Sequence, residues 1–235
     1  MKYLEFTDVE IHELKSEIIG ETFEILVKQP DPQILSLFGN KPLPVVYGTD
    51  ANLSAGGYIN TLEGLLLGGE IPPVLFIGIR YKLGDEPDFM QFVTSRTREF
   101  TPTEDAENQK LMEQMTLRDV KGGGAENFLK FLTTELRDWV SERFNVSDDT
   151  TYIGDSMGGL FGLYTLFTEP RAFKRYVIGS PWQEWNHPAT FELEESYAEN
   201  NNDMEAIVYM ASGAEEHIIC LLYTSDAAAD RDSVD

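Results

Sequence analysis

The sequence is poor in cysteine, in basic residues and in long apolar runs. Each shortage excludes a kind of structure or argues against a kind of partner. Among 235 residues there is one cysteine, Cys220, so the chain cannot form an internal disulfide. Lys and Arg number 18 against 41 Asp and Glu, and the net charge of −23 argues against nucleic acid or an anionic membrane as a partner. No apolar run approaches the ~18 residues of a membrane span. We therefore expect a soluble, cytoplasmic protein.

The remaining composition is that of an ordinary globular chain. Apolar residues make up 42% of the sequence, which is enough for one large α/β domain with a substantial core. We expect this domain to cover residues 1–218. The last stretch, 219–235, reads ICLLYTSDAAADRDSVD and has no pattern of apolar residues that would form a core. Its wording resembles a translated cloning adaptor, so we expect a non-native or disordered tail there.

The most informative stretch is 150–167, TTYIGDSMGGLFGLYTLF. A short run that suits a buried strand leads into Gly154-Asp155-Ser156-Met157-Gly158, and an almost wholly apolar helix follows. G-x-S-x-G between a strand and a helix is the context of a nucleophile elbow, in which the serine hydroxyl stands at the tip of a strained turn. The three fixed positions alone should occur by chance in about one chain in ten of this length. The bland alternative is a glycine-rich turn with a buried serine.

The rest of the chain alternates strands and helices, which predicts a mostly parallel sheet covered on both faces. Two antiparallel strands are expected to open the sheet, within residues 1–20 and 21–29. Further strands are predicted at 43–47, 73–79, 175–179 and 206–210, and helices at 53–67 and 125–144. Residues 80–124 have few apolar positions and several breakers, and we interpret them as a functional loop or lid.

Polar residues follow the carboxyl ends of four predicted strands. These are Asn52, Ser156, Ser180 and Glu216. Because ligands meet open α/β sheets at the carboxyl ends of their strands, we expect these four positions to lie around one site.

Several short segments resemble those of a known family, in that family's order and over residues 15–218. They occupy 45–52, 71–74, 96–103, 123–128, 154–161 and 180–181. In this respect the chain is similar to the serine esterases of the α/β-hydrolase superfamily that include ferric-siderophore esterases. More distantly it resembles S-formylglutathione hydrolase and the mycolyltransferases. Two positions depart from the family pattern, namely Ala51 where glycine is usual and Asp155 where histidine is common.

The resemblance implies an α/β-hydrolase fold and a serine carboxylic-ester hydrolase that forms an acyl-enzyme on Ser156. The backbone amides of Met157 and Asn52 would hold the oxyanion. The acid should follow the strand that ends at residue 210, where we favour Glu216 over Glu215. Small-molecule esters, among them siderophore esters, are the implied substrates.

The catalytic base is not identified. The superfamily order is serine, acid, histidine, and the sequence offers only His12, His187 and His217. His12 suits a surface strand, and His217 directly follows Glu216, so the two side chains should diverge. His187 could line a pocket walled by Trp182 and Trp185, although a loop histidine beside a proline is the simpler interpretation. We expect the histidine to be missing, together with the last strand and helix of the fold.

The sequence is also compatible with two functions other than ester hydrolysis. The chain could be a catalytically impaired member of the fold that binds a ligand or partner, or an acyltransferase that uses an alcohol acceptor. Arg96 and Arg98 could clamp an anionic substrate, but structural ion pairs are the simpler interpretation for this acidic chain. No metal-ligand spacing or phosphate-binding loop is present in the sequence, so we expect no metal and no cofactor.

Overall fold

A computed structural model describes residues 8–83 and 88–214, and these form a seven-stranded sheet flanked by helices. The strand order across the sheet is β1-β2-β4-β3-β5-β6-β7. The strands are β1 Val9–Lys15, β2 Thr22–Lys28, β3 Leu43–Gly48, β4 Leu75–Tyr81, β5 Val146–Asp155, β6 Arg175–Gly179 and β7 Ile207–Ala211. All the strands expected from the sequence are therefore present. The ends of those predicted at 21–29, 43–47, 73–79, 175–179 and 206–210 shift by up to two residues, whereas β5 begins several residues before the short run predicted ahead of Gly154.

The sheet is mostly parallel, as predicted. β1 pairs with β2, and β2 with β4, in antiparallel register, whereas β3, β4, β5, β6 and β7 run parallel to one another. The parallel strands therefore all end at the same edge of the sheet. β5 is the middle one of these five parallel strands, and the turn at its carboxyl end lies between those of β3 and β6.

Helices cover both faces of the sheet, because alternate residues of the strands point to opposite sides. The helices are α1 Pro32–Leu37, α2 Ala51–Leu67, α3 Phe89–Phe100, α4 Ala106–Thr116, α5 Ala125–Phe131, α6 Arg137–Arg143, α7 Met157–Thr168 and α8 Pro188–Asn200. Val46, Phe76 and Ile153 pack with α2 on one face. Their neighbours Tyr47 and Tyr152 belong to the larger core on the other face, which includes α7.

The interpretation of residues 80–124 as a loop is wrong, because this segment contains helices α3 and α4. Each begins with an aspartate whose carboxylate accepts two backbone amides, Asp88 for α3 and Asp105 for α4. The first backbone N–H groups of a helix have no acceptor within the helix, and the aspartate side chain supplies one. The apolar residues are few but well placed, since Phe92 and Phe100 are buried in the core. The low number of apolar residues in this segment was therefore a poor guide to its structure, which includes two short capped helices.

The helix predicted over 125–144 is present with one irregularity. A single π-helical turn, Leu132–Leu136, lies between α5 and α6. Within the described residues, no helix is both long enough and apolar enough to cross a bilayer. The predicted domain boundary at residue 218, the tail 219–235, and the expected loss of a last strand and helix all lie outside the described residues.

Candidate functional site

Ser156 lies at the sharp turn between β5 and α7, at the centre of the parallel strands. Its backbone has φ 58° and ψ −117°, a conformation in which a residue with a side chain is strained. The Ser156 amide donates to Gly179 O at 2.9 Å, and the Ser156 carbonyl accepts from Trp182 N at 3.0 Å. These two bonds tie the turn to the end of β6, and the serine side chain is left exposed.

The glycines on either side of Ser156 are required by close contacts. A Cβ on Gly158 would lie 2.6 Å from Thr49 Oγ1, and a Cβ on Gly154 would collide with the Tyr152 hydroxyl and lie 2.6 Å from Gly158 O. No side chain can therefore replace either hydrogen without moving the backbone. The local geometry expected of G-x-S-x-G, a strand, a strained serine and a helix, is present.

A buried hydrogen-bond network supports the turn from below. The Tyr152 hydroxyl donates to Gly158 O at 2.6 Å and lies 3.2 Å from Thr49 Oγ1. Burial raises the pKa of the Tyr152 phenol well above its usual value, so the hydroxyl stays protonated as a donor. Thr49 and Tyr152 thus link β3, β5 and the first turn of α7. Sequence reasoning missed both residues, because nothing in the motif points to a threonine 107 positions before the serine.

Helices α2 and α7 both begin at this site without a side-chain cap. Their N-cap residues, Asp50 and Ser156, have positive φ values of 55° and 58°, and neither side chain caps its helix. The first amides of a helix have no partner within it. The amides of Asn52 in α2 and Met157 in α7 therefore lie in first turns that no N-cap side chain occupies.

The Asn52 side chain has a structural role separate from its amide. Its Oδ1 accepts from Tyr81 N at 2.8 Å and its Nδ2 donates to Tyr81 O at 3.0 Å. These two bonds fix the first turn of α2 to the end of β4. Asparagine suits this position because its side chain both donates and accepts. Ala51, at the position where the resemblance expects glycine, is buried beside Gly78.

Arg96, the first arginine of the 96–103 motif, lies in α3 and binds the residue that precedes α2. Arg96 makes a two-bond fork to Asp50, with Nε to Oδ1 at 2.9 Å and Nη2 to Oδ2 at 2.5 Å. Asp50 is 5% exposed, and its burial raises the pKa of its carboxyl while the Arg96 charge opposes that rise. The same helix reaches α7, because Thr97 Oγ1 lies 3.6 Å from Met157 Sδ. Helix α3 thus supports both first turns.

Arg98 also forms structural ion pairs, with Glu99 at 2.7 Å and Glu21 at 3.2 Å. The expectation of ion pairs for the two arginines is therefore confirmed. The backbone carbonyl of Arg98 accepts from Gly124 N at 2.9 Å, which joins the two motif segments 96–103 and 123–128.

Neither described histidine is hydrogen-bonded to Ser156. His12 lies on β1, which three strands separate from β5, and there it bonds Glu10 and packs edge-on to Trp139. His187 begins α8, and its ring lies 5.5 Å from that of Phe191. Glu215, Glu216 and His217 lie outside the described residues.

The two tryptophans after β6 have different surroundings. Trp185 is 1% exposed and its indole donates to Thr103 O at 2.9 Å, so it is a core residue and not the wall of an open pocket. Trp182 is half-buried and bonded through its amide to Ser156. Within residues 8–83 and 88–214, no three His, Cys, Asp or Glu side chains cluster in a way that could hold a metal ion.

Comparison with known proteins gives relatives over most of the chain. The family model described as "Putative esterase" matches residues 16–220. The ferri-bacillibactin esterase BesA of Bacillus subtilis is 33% identical over 186 residues, which are 74% of this chain and 61% of that protein. The siderophore triacetylfusarinine C esterase of Aspergillus fumigatus is 29% identical over 175 residues, 71% of this chain and 53% of that protein. The chain thus spans less than two thirds of either relative.

Solved structures share the fold. The BES protein from Bacillus cereus superposes with a TM-score of 0.73 at 24% identity, covering 100% of this chain and 85% of its own. The siderophore hydrolase EstA from Aspergillus nidulans gives 0.72 at 20% identity, covering 98% and 82%. The predicted α/β-hydrolase fold class is confirmed. Because one family model covers most of the sequence and a relative is one-third identical, the chain belongs to the esterase family.

Proposed function

We propose that this protein hydrolyses carboxylic esters through an acyl-enzyme on Ser156. The observation that carries the proposal is the pairing of an exposed, strained serine with two helix N-termini that no side chain caps. A hydroxyl presented in this way can approach an ester carbonyl, and the free amides beside it can bind the negative charge that develops on the carbonyl oxygen.

In the proposed reaction the Ser156 hydroxyl oxygen attacks the ester carbonyl carbon. The carbonyl oxygen becomes an oxyanion that the backbone amides of Met157 and Asn52 stabilise. One such donor is typically worth about 2.7–4 kcal/mol at the transition state. Collapse of the tetrahedral intermediate expels the alcohol, which takes up the proton that Ser156 has lost, and the acyl group stays on Ser156. Water then attacks the acyl-enzyme, and the acid is released as Ser156 regains its proton.

The proposal also names a candidate for the catalytic acid. Glu216, with Glu215 as the alternative, follows β7 by a few residues, which is where a parallel strand delivers side chains to the site edge. No base is assigned, since neither described histidine is hydrogen-bonded to Ser156. A chain without its base should retain only the part of the acceleration that the oxyanion donors supply.

Siderophore esters are the substrate class that we propose. Two relatives carry the names of siderophore esterases, one for ferri-bacillibactin and one for triacetylfusarinine C. The cytoplasmic location expected from the composition belongs to the same proposal, as does a small-molecule ester as the substrate.

The test compares the hydrolysis of 4-nitrophenyl butyrate by the full chain and by Ser156→Ala. We expect Ser156→Ala to reduce kcat/KM at least 10²-fold, because the nucleophile is lost. Ser147→Ala is the matched control: Ser147 lies at the other end of the same strand, and its hydroxyl contacts Leu43 O. Reaction with a fluorophosphonate should add mass to the peptide that contains Ser156.

Equal, slow hydrolysis by the wild-type and Ser156→Ala proteins would refute the catalytic proposal. The protein would then be a binding member of the fold, which titration with a ferric siderophore would detect. Transfer of the butyryl group to an added alcohol, at the expense of free butyrate, would instead identify an acyltransferase.

A further inference from the structure

The residue before Ser156 carries a negative charge into the site. Asp155 is the last residue of β5, and its side chain is exposed. It pairs across the sheet with Gly179, the last residue of β6. A Cβ on Gly179 would collide with Asp155 Oδ1, so the carboxylate occupies the space that this glycine leaves free.

The Asp155 carboxylate is held in one orientation. Its Oδ2 accepts a 2.6 Å hydrogen bond from the hydroxyl of Tyr58, which lies in the second turn of α2. Burial raises the pKa of the Tyr58 phenol, and the bond to Asp155 raises it further, so the hydroxyl remains a donor at every physiological pH. The bond thereby ties the carboxylate, at the end of β5, to helix α2.

The charge of Asp155 has no cation to balance it among residues 8–83 and 88–214. The contrast with Asp50 is informative, since that buried carboxylate is matched by Arg96 through two bonds. Arg96 is thus already engaged and cannot also neutralise Asp155. The hydrogen bond from Tyr58 orients the carboxylate but does not cancel its charge.

The field of Asp155 reaches groups on three elements around the serine. Its negative charge adds to the rise in the pKa of the Asp50 carboxyl and of the Tyr58 and Tyr152 phenols, beyond the larger effect of burial on each. These groups belong to the turn before α2, to α2 itself and to β5. Because Asp155 directly precedes Ser156 and is itself exposed, its unbalanced charge makes the potential at the Ser156 hydroxyl more negative.

We propose that Asp155 is a specificity-determining residue, whose unbalanced carboxylate makes the Ser156 site select esters that are cationic or neutral near the scissile bond over anionic ones. This inference rests on the proposed role of Ser156 for its consequence in catalysis, but the potential itself can be measured without turnover.

The potential is measured at position 156 with charged thiol reagents. In the Ser156→Cys, Cys220→Ser protein, the thiol reacts with a trimethylammonioethyl or a sulfonatoethyl methanethiosulfonate. The ratio of the cationic to the anionic rate reports the local potential, because the thiolate fraction cancels from the ratio. Adding Asp155→Asn should lower this ratio about tenfold at low salt, as expected for one nearby partly solvated charge.

Asp149→Asn is the matched control. It removes the same charge from the same strand, but from a residue about 20 Å away along β5, where Asp149 pairs with Arg175. The ratio should change less than twofold in this variant. Should Asp155→Asn fail to fold, Asp155→Ser provides the same neutralisation. An unchanged ratio in a folded, neutralised variant would overturn the proposal.

The consequence for esters is tested with butyrylcholine and its uncharged isostere 3,3-dimethylbutyl butyrate. Asp155→Asn should lower the ratio of their kcat/KM values about three- to tenfold, mainly through the choline ester. If Ser156→Ala abolishes both activities and Asp155→Asn leaves the ratio unchanged, the specificity proposal fails alone. If Ser156→Ala changes neither activity, the proposed function fails, and the thiol-reagent ratios still decide the potential.

Discussion

At the scale of single residues, two strained positions define the candidate site. Asp50 and Ser156 each precede a helix with positive φ, and each leaves its helix without a side-chain cap. By contrast, Asp31, Asp88 and Asp105 cap α1, α3 and α4 through their side chains, whereas α5 and α8 also begin without a side-chain cap. An N-cap bond is worth about 1 kcal/mol. Its omission at both turns leaves first-turn amides free for a ligand.

The Asp50–Arg96 ion pair should be the most costly charge pair in this region to break. Arg96→Met leaves the buried Asp50 carboxylate without its cation, and we expect a loss of about 3–5 kcal/mol in the free energy of unfolding. Urea denaturation measures this loss. Arg171→Met, which breaks the exposed pair with Glu205, should change stability little. Similar effects of the two substitutions would contradict the assigned role of Arg96.

Glu99 should make stability depend on pH near neutrality. Burial raises the pKa of its carboxyl to about 7, although Arg98 opposes the rise. Because the folded state binds the proton more tightly than the unfolded chain, the stabilisation is complete below the unfolded pKa of about 4.5 and is lost as the pH rises through 7. Relative to Glu99→Gln, the free energy of unfolding should fall by about 3 kcal/mol between pH 4.5 and 8.

Urea denaturation of both proteins at intervals across this pH range is the measurement. Subtraction of the Glu99→Gln curve removes the contributions of all other titrating groups. A difference that is flat with pH, or one that grows as the pH rises, would show that Glu99 is ionised in the folded protein throughout.

At the scale of elements, the turn between β5 and α7 is fixed by close packing as well as by hydrogen bonds. Tyr152 from the strand, Thr49 from the end of β3 and the carbonyl of Gly158 meet beneath Ser156. The space is filled, since Gly158 has only a hydrogen between itself and Thr49. The element can therefore hold the serine in its strained conformation, which the strand or the helix alone could not do.

Gly158→Ala should distort this turn. Its Cβ would lie 2.6 Å from Thr49 Oγ1, and we expect a loss of stability of about 1–3 kcal/mol, with a larger relative loss of esterase activity. Gly57→Ala is the control within α2, where a Cβ meets nothing within 4 Å. It should stabilise the protein by about 0.5–1 kcal/mol. Thermal unfolding and the 4-nitrophenyl butyrate assay separate the two effects, and equal behaviour of the variants would contradict this account.

At the scale of the whole molecule, the acidic surface and the last described strand have opposing effects on association. The net charge of −23 keeps copies apart. β7 is the edge of the described sheet, and it exposes Ile207, Val208, Tyr209 and Met210. An apolar edge strand is a favourable place for intermolecular pairing. Charge repulsion should therefore control whether this edge associates.

Added salt should weaken the charge repulsion and so favour association through β7. Raising NaCl from 20 mM to 1 M shortens the screening length to about 3 Å, and we expect the weight-average mass in sedimentation to increase. Tyr209→Lys, which places a charge on the edge strand, should suppress the increase. Leu117→Lys is the control at a leucine outside β7 that is 89% exposed, and it should leave the increase unchanged. Equal suppression by the two variants would exclude β7 as the contact.

Local patterns predicted much of this fold. The alternation in β1 and β2, the apolar runs of β3 and β4, and the glycines around Ser156 each carry their structure within a few residues. The same patterns failed over 80–124, where α3 and α4 depend on single aspartate caps and on a few buried rings. Short helices of this kind are stabilised mainly by what they pack against, and composition does not report that.

The sequence by itself determined the fold class, the central serine turn and the acidic surface, because turn chemistry, periodicity and charge are properties of neighbouring residues. Only the tertiary structure decided that Arg96 neutralises Asp50, that Tyr58 orients Asp155 and that Thr49 supports the turn below Ser156. Each of these pairs joins positions 46 to 103 residues apart. Their distance along the chain says nothing about contact until the sheet and its crossovers bring their elements together.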